Sequence, residues 1–384
     1  MRKKVCIGDL GTIITGNTPP RSAPQLYGNH TPFIKATDIS ESEKYTYNPE
    51  ECYSEEGYNK YIKSLIPKGS TCVVTIGSIG KKMTMAHCDL FINQAMNAII
   101  PNANYDNEYV YYAVRNVLGN IKKLDSGTAS GRENVSKSAF SKMEICVEED
   151  LFIQQRIGTI LSRYDSLIEN YQKQIKLLEE SAQRLYKEWF IDLRFPGHEN
   201  TKIVYGVPEG WEKKKVGDLI SKVLRTKQVS ANNYLNSGCI PVIDQSRNYI
   251  AGYTNDIESL VEVNIPYIVF GDHTRVLKYV PFSFAKGADG TQLIMSNDLE
   301  RMPQSLFYNS LIEIDLSNYS YARHFKYLKE ESILVPSKAI AQKYDKVVSQ
   351  YFQSIQKSRG QIHHLTEARD RLLPKLMSGE IEFN

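Results

Sequence analysis

"QRIGTILSRYDSLIENYQKQIKLLEESAQRL" (155–185) and "QKYDKVVSQYFQSIQKSRGQIHHLTEARDRL" (342–372) are two versions of one phrase. At a constant offset of about 187 residues, Gln155, Ser162, Tyr164, Ile168, Gln174, Ile175, Leu178, Glu180, Arg184 and Leu185 meet the same residue types. Their partners are Gln342, Ser349, Tyr351, Ile355, Gln361, Ile362, Leu365, Glu367, Arg371 and Leu372. Shorter echoes surround them: "KKVCIGDL" (3–10) returns as "KKVGDL" (214–219), and "MEICV" (143–147) as "ESILV" (331–335). A fixed-period match of this kind means duplication, so the chain is two copies of a globular head followed by a long helix.

The periodicity of the repeated phrase predicts how the helices are used. Ile157, Leu161, Tyr164, Ile168, Tyr171, Ile175, Leu178, Ala182, Leu185 and Trp189 step by four and three, the spacing of a coiled-coil seam. Tyr344, Val348, Tyr351, Ile355, Ser358, Ile362, Leu365, Arg369, Leu372 and Leu376 keep the same beat less strictly. Pro374 falls inside the last step, which predicts that the second helix stops near Leu373. A helix of about 35 residues is roughly 50 Å long and cannot bury its own stripe. Two of matching length can bury each other's, and tandem copies can do so antiparallel, about a pseudo-two-fold axis, with the heads toward opposite ends.

Residues 1–150 and 213–337 read differently from the helices. Short β-rich runs such as "STCVVTIG" (70–77), "MNAIIP" (96–101) and "IPYIVFG" (265–271) are broken by "PPR", "GSIG", "SGTASG" and "KGADG". The fold class expected is α+β, with two loop-rich heads and a long two-helix coiled coil. The division expected is a first head over 1–150, a central helix over 151–190, a Pro/Gly-rich linker over 191–212, a second head over 213–337, and a C-terminal helix and tail over 338–384.

Composition admits many classes and excludes a few. With 384 residues, 24% charged, 41% hydrophobic and a formal charge of +3, the chain reads as an ordinary globular protein of more than one domain. A polyanion partner requires clustered Lys and Arg rather than a high net charge. The 25 tyrosines, against 13 Phe and 2 Trp, supply rigid rings with polar tips suited to contact surfaces. Cys6, Cys52, Cys72, Cys88, Cys146 and Cys239 show no paired spacing and read as reduced thiols. No signal peptide and no membrane span is expected, which points to the cytoplasm.

Four catalytic signatures fail on inspection. "GNTPPR" (16–21) resembles the Asn-Pro-Pro-aromatic loop of an adenine methyltransferase, but Thr18 separates Asn17 from Pro19, and Arg21 stands where the aromatic should be. "IGSIGKK" (76–82) is too short between Gly77 and Gly80 for a phosphate-binding P-loop, and Lys82 replaces Ser/Thr. Asp272 and His273 in "GDHT" have no second ligand cluster at metal spacing. Glu212 and Lys214 form a nuclease-like Glu-x-Lys without the Pro-Asp that should precede it.

The order of phrases resembles the specificity (S) subunits of type I restriction–modification systems. "GTIITGNTPPRSAPQLYGNHTPFIKATDI" (11–39) is similar to the opening of that family's first target recognition domain, and "GSIGK" and "SGTASGRENVSKSAFSKMEICV" to its later segments. "KEWFIDLRFPG" (187–197) and "GVPEGWEKKKVGDL" (206–219) resemble its passage into the second such domain, and "RDRLLPKLMSGEI" (369–381) its ending. The resemblance implies a non-catalytic subunit that directs partners to an asymmetric bipartite site on double-stranded DNA. Those partners would be two modification (M) subunits, carrying S-adenosylmethionine for adenine-N6 methylation, and restriction (R) subunits using ATP and Mg. A free-standing two-headed DNA-binding protein is the alternative. Half-sites one turn apart lie roughly 34–36 Å from centre to centre, a scale that a 50 Å helix pair matches.

Base edges are read by Arg, Lys, Asn, Gln and short polar side chains on loops, and phosphates by Lys and Arg. The candidates are Lys35, Thr37, Lys81, Lys82, Arg132 and Asn134 in the first head. In the second they are Gln245, Arg247, Asp272, His273, Arg275 and Lys286.

Overall fold

The phrases that recur in the sequence become equivalent strands. In a computed structural model, which describes residues 2–125, 133–224, 226–319 and 323–382, Arg2–Cys6 (β1) pairs antiparallel with Glu144–Glu148 (β8). Between them lie Gly11–Thr15 (β2), Thr31–Ile34 (β3), Thr71–Val74 (β4), Met83–Met85 (β5), Phe91–Ile92 (β6) and Met96–Pro101 (β7). β4 is flanked antiparallel by β5 and β7, and β7 by β2, while β3 pairs in parallel with β6. The helices Asn107–Val117 (α1) and Lys137–Lys142 (α2) cover this scaffold before Leu151–Tyr186 (α3) leaves it.

The second head repeats the plan. Glu212–Lys215 (β9) pairs antiparallel with Ser332–Val335 (β15), so "KKVGDL" and "ESILV" do what "KKVCIGDL" and "MEICV" do in the first. Ile240–Ile243 (β10) pairs in parallel with Phe284–Lys286 (β13), as β3 does with β6. Tyr267–Gly271 (β11) is flanked antiparallel by Leu277–Val280 (β12) and Thr291–Ile294 (β14), as β4 is by β5 and β7. The counterpart of β2 shrinks to one bridge, Ile220 to Ser296. Gln304–Ile312 (α4) and His324–Glu330 (α5) replace α1 and α2, and Lys338–Ser378 (α6) closes the repeat.

Packing divides the chain differently from the sequence reading. One compact unit holds residues 1–172 and 360–384, the other 173–359, so each takes part of both long helices. The reason is that the helix segments are core for the head they adjoin. In the first unit Ile157 and Leu161 of α3 share a core with Leu373, Leu376 and Met377 of α6, and with Tyr109–Val114 of α1. In the second, Ala182 and Tyr186 pack with Tyr344, Val348 and Ile355, and the Tyr344 hydroxyl donates to the Ala182 carbonyl at 3.2 Å. Residue numbers fall on α6 as they rise on α3 in both units, which makes each pairing antiparallel.

The seam is part apolar and part polar. Ile157, Leu161, Ile168, Val348 and Ile355 are buried, while Tyr164, Ile175, Leu178, Leu185, Tyr351, Ile362, Leu365 and Leu372 are half-buried. The Ser358 hydroxyl donates to Gln174 Oε1 at 3.3 Å, and Arg369 is buried against Asp165. α3 ends as a regular helix at Tyr186 and runs into a wider turn over Lys187–Ile191, where a helix to residue 190 is expected.

The expected stop near Leu373 is wrong: α6 continues through Pro374 to Ser378. Pro374 forfeits one backbone hydrogen bond, but Leu373, Leu376 and Met377 are 6%, 1% and 4% exposed and hold the final turn in the core. The Arg2 guanidinium donates to the Leu376 carbonyl at 2.9 Å, and Gly379, at φ +81°, ends the helix in the left-handed conformation that glycine adopts freely.

Candidate nucleic-acid interface

In the first head the candidates gather where β3 and β4 end. β3 turns through Lys35–Asp38, closed by Lys35 N–H donating to Asp38 Oδ2 at 2.8 Å and Asp38 N–H to the Lys35 carbonyl at 2.9 Å. Thr37 stands exposed in this turn. After β4, Gly77 and Gly80 take φ +90° and +74°, the left-handed values that let the chain reverse tightly. Buried Ile79 anchors the turn, leaving Ser78 and Lys81 exposed. Residues 133–135 run beside it: Gly77 N–H donates to the Glu133 carbonyl at 3.1 Å, and Val135 N–H to Thr75 at 2.9 Å. Lys82 reaches the first loop, its ammonium donating to the Ala36 carbonyl at 3.3 Å.

In the second head three loops are tied by one side chain. Gln245 Nε2 donates to the Asp289 carbonyl at 3.0 Å, and its Oε1 accepts from His273 N–H at 3.1 Å. Its backbone carbonyl accepts from the Thr274 hydroxyl at 2.6 Å. These bonds join the loops after β10, β11 and β13; the first two are the counterparts of the loops after β3 and β4, where the first head gathers most of its candidates. Arg247, Asn248 and His273 are left exposed.

Two heads on one strand plan, each with equivalent loops brought together and different residues on them, suit a protein that reads two different stretches of a polymer. A family model for the type I restriction modification DNA specificity domain matches residues 2–180. The chain is 28% identical over 409 aligned residues to the type I restriction enzyme MjaIX specificity subunit of Methanocaldococcus jannaschii, covering 98% of this chain and 92% of that one. The HindI specificity subunit of Haemophilus influenzae is 31% identical over 177 residues, 45% of this chain and 38% of the relative. The crystal structure of a type I S subunit from M. genitalium shares the fold, with a TM-score of 0.60 at 17% identity over 98% of this chain and 96% of that one. The chain is thus similar to type I restriction–modification specificity subunits, and the family's DNA specificity domain is matched over its first part.

Several candidates are occupied with the protein's own structure. Asp272 is 4% exposed; its carboxylate accepts from Phe325 N–H at 2.8 Å and its carbonyl from His324 N–H at 2.9 Å, so it caps α5 and leaves the contact set. Arg275, at φ +63°, donates to the Leu316 carbonyl at 3.0 Å. Lys286 lies in β13 rather than on a loop, half-buried, and burial lowers the pKa of its ammonium. Lys35 pairs with Glu50 and lies 3.8 Å from Glu51, whose carboxyl the Arg21 hydrogen bonds hold below its usual range. Asn134 N–H donates to Asp125 Oδ1 at 2.7 Å, and Arg132 lies outside the described residues.

"GNTPPR" is a tied turn. Asn17 N–H donates to the Ile92 carbonyl at 2.9 Å, while the Asn17 and Pro19 carbonyls accept from the Tyr53 and Tyr27 hydroxyls at 2.7 and 2.6 Å. Among the described residues no three His, Cys, Asp or Glu are grouped to hold a metal, and no helix is long and apolar enough to cross a membrane.

The sequence reading missed Ser78, Asn248 and above all Lys278. Lys278 lies on β12 two residues before buried Val280, so the strand's period of two puts both on one face, a signal available from sequence. Its side chain is 3% exposed. The ammonium donates to the Asp244 carbonyl at 2.7 Å and the Asn248 carbonyl at 2.5 Å, and lies 3.7 Å from Asp244 Oδ1. Burial pushes its pKa down to about 8, against the pull of Asp244.

Proposed function

We propose that each head reads one half of an asymmetric, bipartite duplex site, and that the subunit lends this reading to enzymes that do the chemistry. The observation that carries this is one scaffold used twice with different residues at its loop tips. The first head presents Thr37, Ser78 and Lys81, and the second Arg247, Asn248 and His273. Identical readers would call for a symmetric site; unlike readers call for unlike half-sites. Exposed Lys81 and Arg247 are available for phosphate or guanine contact, and the short polar side chains beside them for base edges.

The enzymes served would be two modification subunits, which supply S-adenosylmethionine and methylate adenine at N6, and restriction subunits that use ATP and Mg to act on unmethylated DNA. α3 leaves Phe152, Leu167 and Leu177 65%, 46% and 62% exposed, and these apolar positions on a long helix would serve a partner surface. The test is to map methylated adenines in cells with and without this gene. A split motif that vanishes with the gene is the expected result. A motif map unchanged by the deletion would remove the proposal.

A further inference from the structure

We propose that Lys278 and Lys82 are positioning residues, a matched pair of ammonium clasps that hold the first reading loop of each head in shape, and not DNA contacts. This rests on the two-reader function proposed above.

The two lysines occupy equivalent places. Each belongs to the hairpin formed by the central strand and its next neighbour: β4 and β5 for Lys82, β11 and β12 for Lys278. Each reaches across to the loop that follows the parallel-paired strand, β3 or β10, and donates to main-chain carbonyls there. The hairpins "GSIGKKM" (77–83) and "GDHTRVLKY" (271–279) have little else in common. The same contact is made from dissimilar local sequence.

Donor accounting separates the clasp from a phosphate contact. An ammonium has three N–H donors. Lys278 spends two on the carbonyls of Asp244 and Asn248 and turns the third toward the Asp244 carboxylate, inside a site that leaves its side chain 3% exposed. No N–H is left to face a duplex. Its two acceptors are the first and last residues of the segment Asp244–Asn248, so the loop is pinched at both ends and Arg247 is held outward. Tyr249 anchors the following residue, its hydroxyl donating to the Tyr279 carbonyl at 2.6 Å and its ring lying 3.7 Å under the Arg359 guanidinium. Burying an ammonium is unfavourable unless it is fully hydrogen-bonded, and a methionine would fill the space without that penalty. What the lysine supplies is a loop geometry.

Lys82 is the lighter version. It is half-buried and holds one carbonyl, that of Ala36, in a turn that Lys35 and Asp38 already close themselves. Its loss is therefore expected to matter less.

The experiment uses the subunit with its methyltransferase partner. Methylated motifs are mapped in cells carrying wild type, Lys278→Met or Lys82→Met, and binding of each purified complex to poly(dI-dC) duplex is followed against salt. Lys278→Met is expected to relax one half of the motif, with discrimination there falling about tenfold or more, and Lys82→Met to relax the other half more weakly. Neither is expected to change the salt slope on poly(dI-dC). A slope lowered by about one would make the lysine a phosphate contact, and two intact half-motifs would mean that it holds nothing that matters for reading; either result overturns the proposal. If Lys278→Met does not yield folded protein, Lys82→Met decides alone. A wild-type gene that directs no motif at all defeats the two-reader function itself, and the clasps fall with it.

Discussion

Arg369 of α6 and Asp165 of α3 form an ion pair with side chains only 2% and 6% exposed. The Tyr112 hydroxyl of α1 donates to the other oxygen of Asp165, and Asp370 takes the Arg369 Nε–H at 2.9 Å. Burial, reinforced by the Asp165 charge, holds the Tyr112 phenol neutral far above its usual range. A charged pair at one step of a largely apolar seam favours the single register in which its members meet. Removing one partner strands the other: Arg369→Ala or Asp165→Ala is expected to cost about 3–5 kcal/mol. The double replacement Arg369→Met with Asp165→Leu is expected to be near neutral. Urea unfolding of the three variants checks this, and equal losses in all three would show that the pair itself stabilises.

Arg247 and Lys81 are exposed at the loop tips of the two heads. If they meet phosphates, Arg247→Ala and Lys81→Ala should each weaken binding to every duplex alike and lower the salt slope by about one. If Arg247 reads a base edge instead, its loss relaxes one position of the motif and costs about 1–3 kcal/mol there. Titrations on specific and random duplex at several salt concentrations separate the two.

Asp272 makes the opposite prediction from the one its loop sequence suggests. Its carboxylate serves the N-terminus of α5, where a side-chain acceptor is favoured by the free N–H groups and the helix dipole. Asp272→Ala is expected to destabilise the second unit by about 1–2 kcal/mol, while the salt slope of DNA binding stays unchanged. Thermal melting and the same titrations measure both.

The duplicated helices were legible because a seam residue must recur every three or four positions whatever its neighbours, so selection on packing leaves a periodic trace. The heads hid their duplication because strand pairing constrains only alternation. "TPFIKAT" (31–37) and "IPVIDQS" (240–246) share two identical residues, Pro32/Pro241 and Ile34/Ile243, yet both become the strand of a parallel pair followed by a loop that carries candidate residues. Individual site residues were less legible still. Polar type on a loop does not tell an outward Arg247 from an Asp272 spent on a helix cap; that difference is set by what lies across the loop. Pro374 misled because a missing hydrogen bond is a local cost, and the buried Leu376 and Met377 beyond it outweigh that cost.

Lys278 gives the second unit a pH dependence with a definite sign. Its pKa falls from the ordinary 10.5 to about 8, chiefly through burial, with Asp244 the charged group that opposes the fall. Below about pH 8 the ammonium is charged in both folded and unfolded chains, and the cost of burying it is constant. Between about 8 and 10.5 the unfolded chain keeps the proton while the folded one sheds it, so stability rises with pH across that window. Above it both are neutral and the contribution is complete, on the order of 3 kcal/mol. Other groups titrate in the same range, and comparison with Lys278→Met cancels them. Unfolding free energy measured from pH 7 to 11 should therefore climb more steeply in the wild type than in the variant. Parallel curves would mean that the ammonium is stabilised by its carbonyls as fully as by water.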